Sequence, residues 1–168
     1  MKKANDAMNE ANAKIETHNQ LIEQAHRQYG EVEKKIGAGE ISSTEARARV
    51  QEIQAKVQEA RRKLAGARDS LGRVQSLDVA PPVKRYARLL SKATGIQLDA
   101  EAKEIAYYGI LEKDPTLSKN RKQAKDLLSS ANQGYAQAGK LYGRARKLAA
   151  SNPKLISTPA SGGTATSR

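Results

Sequence analysis

Residues 42–77 read SSTEARARVQEIQAKVQEARRKLAGARDSLGRVQSL. Within this stretch Ala46, Val50, Ile53, Val57, Ala60, Leu64, Ala67, Leu71 and Val74 follow one another at gaps alternating between four and three residues. That spacing is a heptad seam and predicts one long helix packed along a single face. Ser42 with Glu45 fits a capping box, and Ile41 can staple against Ala46.

Upstream, the same alternation runs through Ala4, Met8, Ala11, Ile15, His18, Ile22, Ala25, Tyr29, Val32 and Ile36. It predicts a first helix over 3–36, stopped by Gly37 and Gly39. About six residues join the two seams, short enough to force an antiparallel hairpin. Each seam has a row of alanines, which lets the two backbones approach closely.

Downstream, Pro81 and Pro82 can open a helix but not continue one. From there the pattern is shorter. One helix over 82–94 would carry Val83, Tyr86, Leu89, Leu90 and Ala93 and end at Gly95. Another over 99–113, opened by Asp99, would carry Ala102, Ile105, Tyr108 and Leu111. Asp114-Pro115 reads as a cap and first-turn proline for a last helix over 116–150. Its seam is Leu117, Ala124, Leu128, Ala131, Tyr135, Ala138, Tyr142, Ala145 and Ala149, and Asn152-Pro153 closes it.

The fold class expected is therefore all-α: an elongated antiparallel helical bundle with a long N-terminal coiled-coil hairpin. Residues 1–150 form the bundle, with 3–36 and 43–77 as the hairpin, 81–113 as a broken helix and 116–150 as a basic helix. Residues 151–168, mostly Ser, Thr, Gly and Pro, read as a flexible tail. An alternative packs three long helices with the broken pair at one end.

Composition alone points elsewhere. Leu, Ile and Val together number 29 of 168 residues, and the net charge is +12. Few large aliphatics with high net charge is a signature of disorder. The heptads reverse that reading, because Ala, Glu, Lys, Arg and Gln are strong helix formers. With no Cys there is no disulfide, thiolate metal site or cysteine nucleophile. No apolar run reaches the roughly 18 residues of a membrane span. Lys2 and Lys3 precede no apolar stretch, so the start does not read as a secretory signal.

Few residues suggest catalysis. Glu23-x-x-His26 has the spacing by which helical di-metal bundles place two ligands on one face. The other histidine, His18, is on the same helix, so we expect no metal site and no cofactor. A polar residue in a seam fixes register, and a histidine there can also respond to pH; His18 is the candidate. Ser and Thr cluster in turns without a partnered His and Asp, so no hydrolase triad is expected.

Charge is more informative. Residues 1–41, 42–80, 81–114 and 115–168 carry net −1, +3, +1 and +9. On the last helix and its approach, Lys119, Lys122, Lys125, Lys140, Arg144, Arg146 and Lys147 are the candidate residues for binding a polyanion or partner. Gly134, Gly139 and Gly143 each cost about 1 kcal/mol in a helix relative to Ala, which hints at a packing need or a flexible point.

These features favour a non-enzymatic structural or interaction subunit of a larger assembly, of the virion or secretion type. Its basic C-terminal helix and tail would dock on a negatively charged partner. The expected partners are protein subunits or further copies of the chain, with nucleic acid or another polyanion as the competing class. Two alternatives are a nucleic-acid-associated basic helical protein and a periplasmic or secreted helical-bundle adaptor. The expected location is cytoplasmic or in a virion, or periplasmic if a signal precedes the chain.

Overall fold

A computed structural model of the chain describes residues 2–156. Its element order is α1 (Lys2–Ala38), α2 (Ser43–Ser76), α3 (Pro81–Lys113) and α4 (Arg121–Ala150), with no strand among the described residues. The fold is all-α, as the heptads predict. Each helix packs on its chain neighbour, α1 on α2, α2 on α3 and α3 on α4. Helix α1 and helix α4 approach less closely. They meet through side chains such as His26 and Tyr135, edge to face at 6.3 Å.

Local chemistry sets the corners. Gly39 takes a left-handed φ of 68° after α1, a conformation glycine adopts without steric cost. Ser42 Oγ then accepts from the Glu45 amide at 3.1 Å and caps α2. The Glu45 carboxylate bonds Arg49 at 2.7 Å instead of reaching back, so only half of the predicted capping box forms. Pro81 starts α3, where a missing N–H costs nothing.

The predicted break in the third element is corrected: α3 is one continuous helix of 33 residues that passes through Gly95. Its seam continues as Ala87, Leu90, Thr94, Gln97, Glu101, Glu104, Tyr108 and Leu111, all buried. Four consecutive seam positions are polar, which hides the heptad from a search for apolar residues. Ala102, expected inside, is exposed, and Glu101 and Glu104 take the interior.

The last helix also starts later than predicted. Asp114 caps the end of α3 rather than the start of α4. Its carboxylate accepts from the amides of Ser118 at 3.0 Å, Lys119 at 2.8 Å and Asn120 at 3.3 Å. These bonds, the Lys119 amide first, hold its pKa down to about 2. Leu117 in this turn has φ 52°, so it packs on the core from a loop and not from a helix.

Part of the predicted tail is ordered against the bundle. Asn152 Nδ2 donates to Leu148 O at 2.9 Å. The chain then folds back, and Ile156 is buried beside Ala4, Met8 and Val83. The remainder of that tail lies outside the described residues.

Apolar packing divides into two main clusters. One, at the end where α1 and α3 begin, gathers Met8, Ala11, Leu71, Val74, Val83, Tyr86, Leu90, Ala145 and Ile156. The other, at the opposite end, gathers Ile22, Tyr29, Val50, Ile53, Tyr107, Tyr108, Leu111 and Ala124. Burying each Leu or Ile contributes about 1.5–3 kcal/mol. Between the clusters lies a layer of buried polar side chains.

Candidate functional site

The polar layer is built by three helices, from seam positions of α1, α3 and α4 with His26 of α1 beside them. His18 on α1 is fully buried, and its Nε2 lies 2.6 Å from Glu101 Oε1 on α3. Gln97 lies one turn before Glu101 and places its amide 3.4 Å from the same ring nitrogen. Gln97 Oε1 accepts from Tyr142 on α4 at 2.9 Å. One turn further along, Glu104 accepts from His26 Nε2 at 2.8 Å and from the Tyr108 hydroxyl at 2.7 Å. The Tyr135 hydroxyl donates to its other oxygen. A Tyr29–Tyr107 hydroxyl contact lies on the next turn.

Both buried carboxylates therefore face a histidine, as buried charges must be compensated. Burial alone would push Glu104 up. The bonds and charge of His26, with the Tyr135 and Tyr108 hydroxyls, outweigh it and hold the carboxyl below its ordinary value. Burial and the Glu104 and Glu101 charges push the Tyr135 hydroxyl far up. Burial and Glu101 do the same to Tyr142. Glu101 is less well satisfied: its Oε2 is buried and has no hydrogen-bond partner among the described residues.

Glu23 and His26 are not brought together. Glu23 is exposed and pairs with Arg27 at 3.1 Å, while His26 turns inward to Glu104. Among the described residues no three His, Cys, Asp or Glu side chains are grouped to hold a metal ion.

The seven candidate cations are all exposed, but they form two groups. Lys119, Lys122 and Lys125 stand where α4 begins, and Lys122 pairs with Asp126 at 2.8 Å. Lys140, Arg144 and Lys147 share one stripe near the helix's other end, about 25–30 Å away. Arg146 projects about 100° from Lys147 around the helix.

Antiparallel packing sorts the rest of the charge. Residues 2–20, 60–98 and 135–156 make one half of the bundle and hold seventeen lysines and arginines against five acids. The other half, residues 21–59 and 99–134, holds twelve against thirteen. The net charge thus falls on the half where α3 begins and α4 ends. The cations of α3, namely Lys84, Arg85, Arg88 and Lys92, belong to it, although they are not among the seven candidates on the last helix and its approach. Their signal was visible: no acid occurs over 79–98 or 127–156. Only the antiparallel order shows that these two stretches are neighbours.

Comparison with protein-family models, with curated proteins and with solved structures finds no significant match.

Proposed function

We propose that the chain is a non-enzymatic interaction subunit of a larger assembly, docking on a negatively charged partner through the cationic half of its bundle. The observation that carries this reading is the charge asymmetry between two halves of one helical frame. Charge concentrated on one surface steers association with an oppositely charged partner. Lys140, Arg144 and Lys147 on α4 lie in that half and make no ion pair among the described residues.

The interior supports a non-catalytic role. Glu101, Glu104 and His18 are buried and bond to one another or to tyrosines instead of lining an open cleft. Such a layer suits register control in a long bundle, where a shifted helix would leave buried charges unpaired.

The test is retention on a heparin matrix at low salt, with Lys140→Glu/Arg144→Glu/Lys147→Glu as the variant. The reading expects retention of the wild-type chain and marked loss in the variant, with unchanged helicity. A wild-type chain that fails to bind the polyanion overturns it.

A further inference from the structure

We infer that the cationic half is a sequence-independent binding face for double-stranded nucleic acid, built by α2, α3 and α4 together with α3 at its centre. This rests on the docking role proposed above and names its partner.

Helix α3 packs between α2 and α4. Its first half presents Arg85, Arg88 and Lys92, all exposed, with Lys84 half-buried beside them. Lys84, Arg88 and Lys92 recur every four residues, a rise of about 6 Å per step. On one flank, the Arg68 guanidinium of α2 lies across α3 at Gly95, 3.5 Å from where a Cβ would stand there. Helix α4, packed on the other side of α3, carries Lys140, Arg144 and Lys147, all exposed. Arg68, Arg85, Arg88, Lys92, Lys140, Arg144 and Lys147 make no ion pair among the described residues, whereas Arg73 is neutralised by Glu10. Asp69 on α2 is the nearest acid in sequence to Arg68.

The choice of partner follows from geometry. Arginine presents a planar fork that bonds phosphate oxygens in pairs, and four of those seven cations are arginines. A duplex carries a charge about every 1.7 Å of axis, dense enough to engage all of them. Four helices at interaxial spacings of about 8–10 Å make a rod too broad for the roughly 12 Å major groove. Contacts are then to phosphates and not to base edges, and binding ignores sequence. An anionic bilayer fits less well, because surface helices hold a membrane through apolar side chains. Leu155 is the exposed large apolar residue among those described, and it belongs to the end turn, not to this face.

Fluorescence anisotropy of the full chain with two unrelated labelled 20-base-pair duplexes, between 50 and 200 mM NaCl, tests this. The expected result is equal affinity for both duplexes, with a log–log salt slope of about −4 to −6. Arg85→Glu/Arg88→Glu/Lys92→Glu should weaken binding at least about tenfold, and Lys119→Glu/Lys122→Glu/Lys125→Glu, the same charge change at the other end, less than about threefold. Circular dichroism checks the fold, and Arg85→Gln/Arg88→Gln/Lys92→Gln replaces the reversal if it unfolds the chain.

Equal losses from the two triples overturn the inference, since net charge and not a face would then be responsible. So does absence of duplex binding at 50 mM NaCl by a chain that heparin retains, or stronger binding to phosphatidylglycerol vesicles. In either case the docking role survives and only the named partner falls. Loss of heparin retention as well removes the docking role itself.

Discussion

His18 and Glu101, 83 residues apart in sequence, meet with Nε2 2.6 Å from Oε1 and with both side chains buried from solvent. This pair joins α1 to α3 across the bundle. Removing one partner leaves the other buried without compensation, which costs about 3–5 kcal/mol. Replacing both with apolar residues removes the desolvation penalty together with the attraction, and such exchanges are often neutral or stabilising. Glu101 favours that outcome here, because its second oxygen already lacks a partner. Urea denaturation should therefore show His18→Leu and Glu101→Leu each strongly destabilised, and the double variant close to wild type. A double variant as unstable as the sum of the singles would show that the pair is worth little and that the layer is held by something else.

Stability should fall on both sides of neutrality, for separate reasons. Glu104 is faced by His26 from α1, Tyr135 from α4 and Tyr108 on its own helix. Its carboxyl is held below 4.5 in the folded chain despite burial. The folded state therefore favours the ionised form, and the stability this adds is present above about pH 4.5 and lost as pH falls below it. Asp114 works in the same direction, fading between about pH 4 and its folded value of about 2. Tyr135 and Tyr142 have the opposite sign. Burial, with the nearby Glu charges, pushes both hydroxyls above their ordinary 10. Their contribution is whole below pH 10 and lost as pH rises through it. Denaturation at pH 3.5, 7 and 11 should give the highest midpoint at pH 7. Glu104→Gln should flatten the acid limb and Tyr142→Phe the alkaline limb; unchanged limbs would mean other groups control them.

The same layer explains what the sequence could and could not reveal. Helices α1, α2 and α4 follow their apolar seams, since apolar side chains at three- and four-residue gaps need no partner other than each other. In α3 the seam passes through Thr94, Gln97, Glu101 and Glu104. Thr94 satisfies its hydroxyl on the Ser91 carbonyl of its own helix, but Gln97, Glu101 and Glu104 belong inside only when donors on other helices meet them. Those donors are His18, His26, Tyr135 and Tyr142, none within thirty residues of the acid or amide it serves. Nothing local announces the pairing. His18 alone was conspicuous, as the polar member of an otherwise apolar seam. The cationic face was half legible in the same way. The acid-free run in α4 stood out along the chain, while the run in α3 joins it only once the antiparallel order is known.

The ordered start of the C-terminal segment closes one end of the core. Ile156 packs beside Met8 and Val83 from α1 and α3. Truncation of a buried isoleucine to alanine costs about 2–5 kcal/mol, and less where the site can collapse. Ile156→Ala should lower the thermal midpoint and speed amide exchange at the starts of α1 and α3, leaving the Gly39 end unchanged. Uniform change along the bundle would mean that the two ends do not respond separately to this segment.

Three glycines in α4 separate packing need from mere tolerance. At Gly134 a Cβ would stand 2.8 Å from the Ala100 Cβ, with the Ile96 carbonyl at 3.7 Å. Helices α3 and α4 are thus in close approach at this point, beside the buried Tyr135. At Gly139 and Gly143 a Cβ would meet nothing within 4 Å. Replacing glycine by alanine in a helix interior gains about 0.5–1 kcal/mol from propensity and from the unfolded chain. Gly139→Ala and Gly143→Ala should each deliver that gain and add in the double variant. At Gly134 the clash with Ala100 opposes it, and overpacking typically costs about 1–3 kcal/mol. Gly134→Ala should therefore be destabilising on balance, and Gly134→Leu more so. Pairing Gly134→Ala with Ala100→Gly tests the cause. That double variant removes the clashing methyl and should regain stability beyond the loss expected from a glycine at position 100. If it regains none, the α3–α4 approach is not what selects glycine at 134.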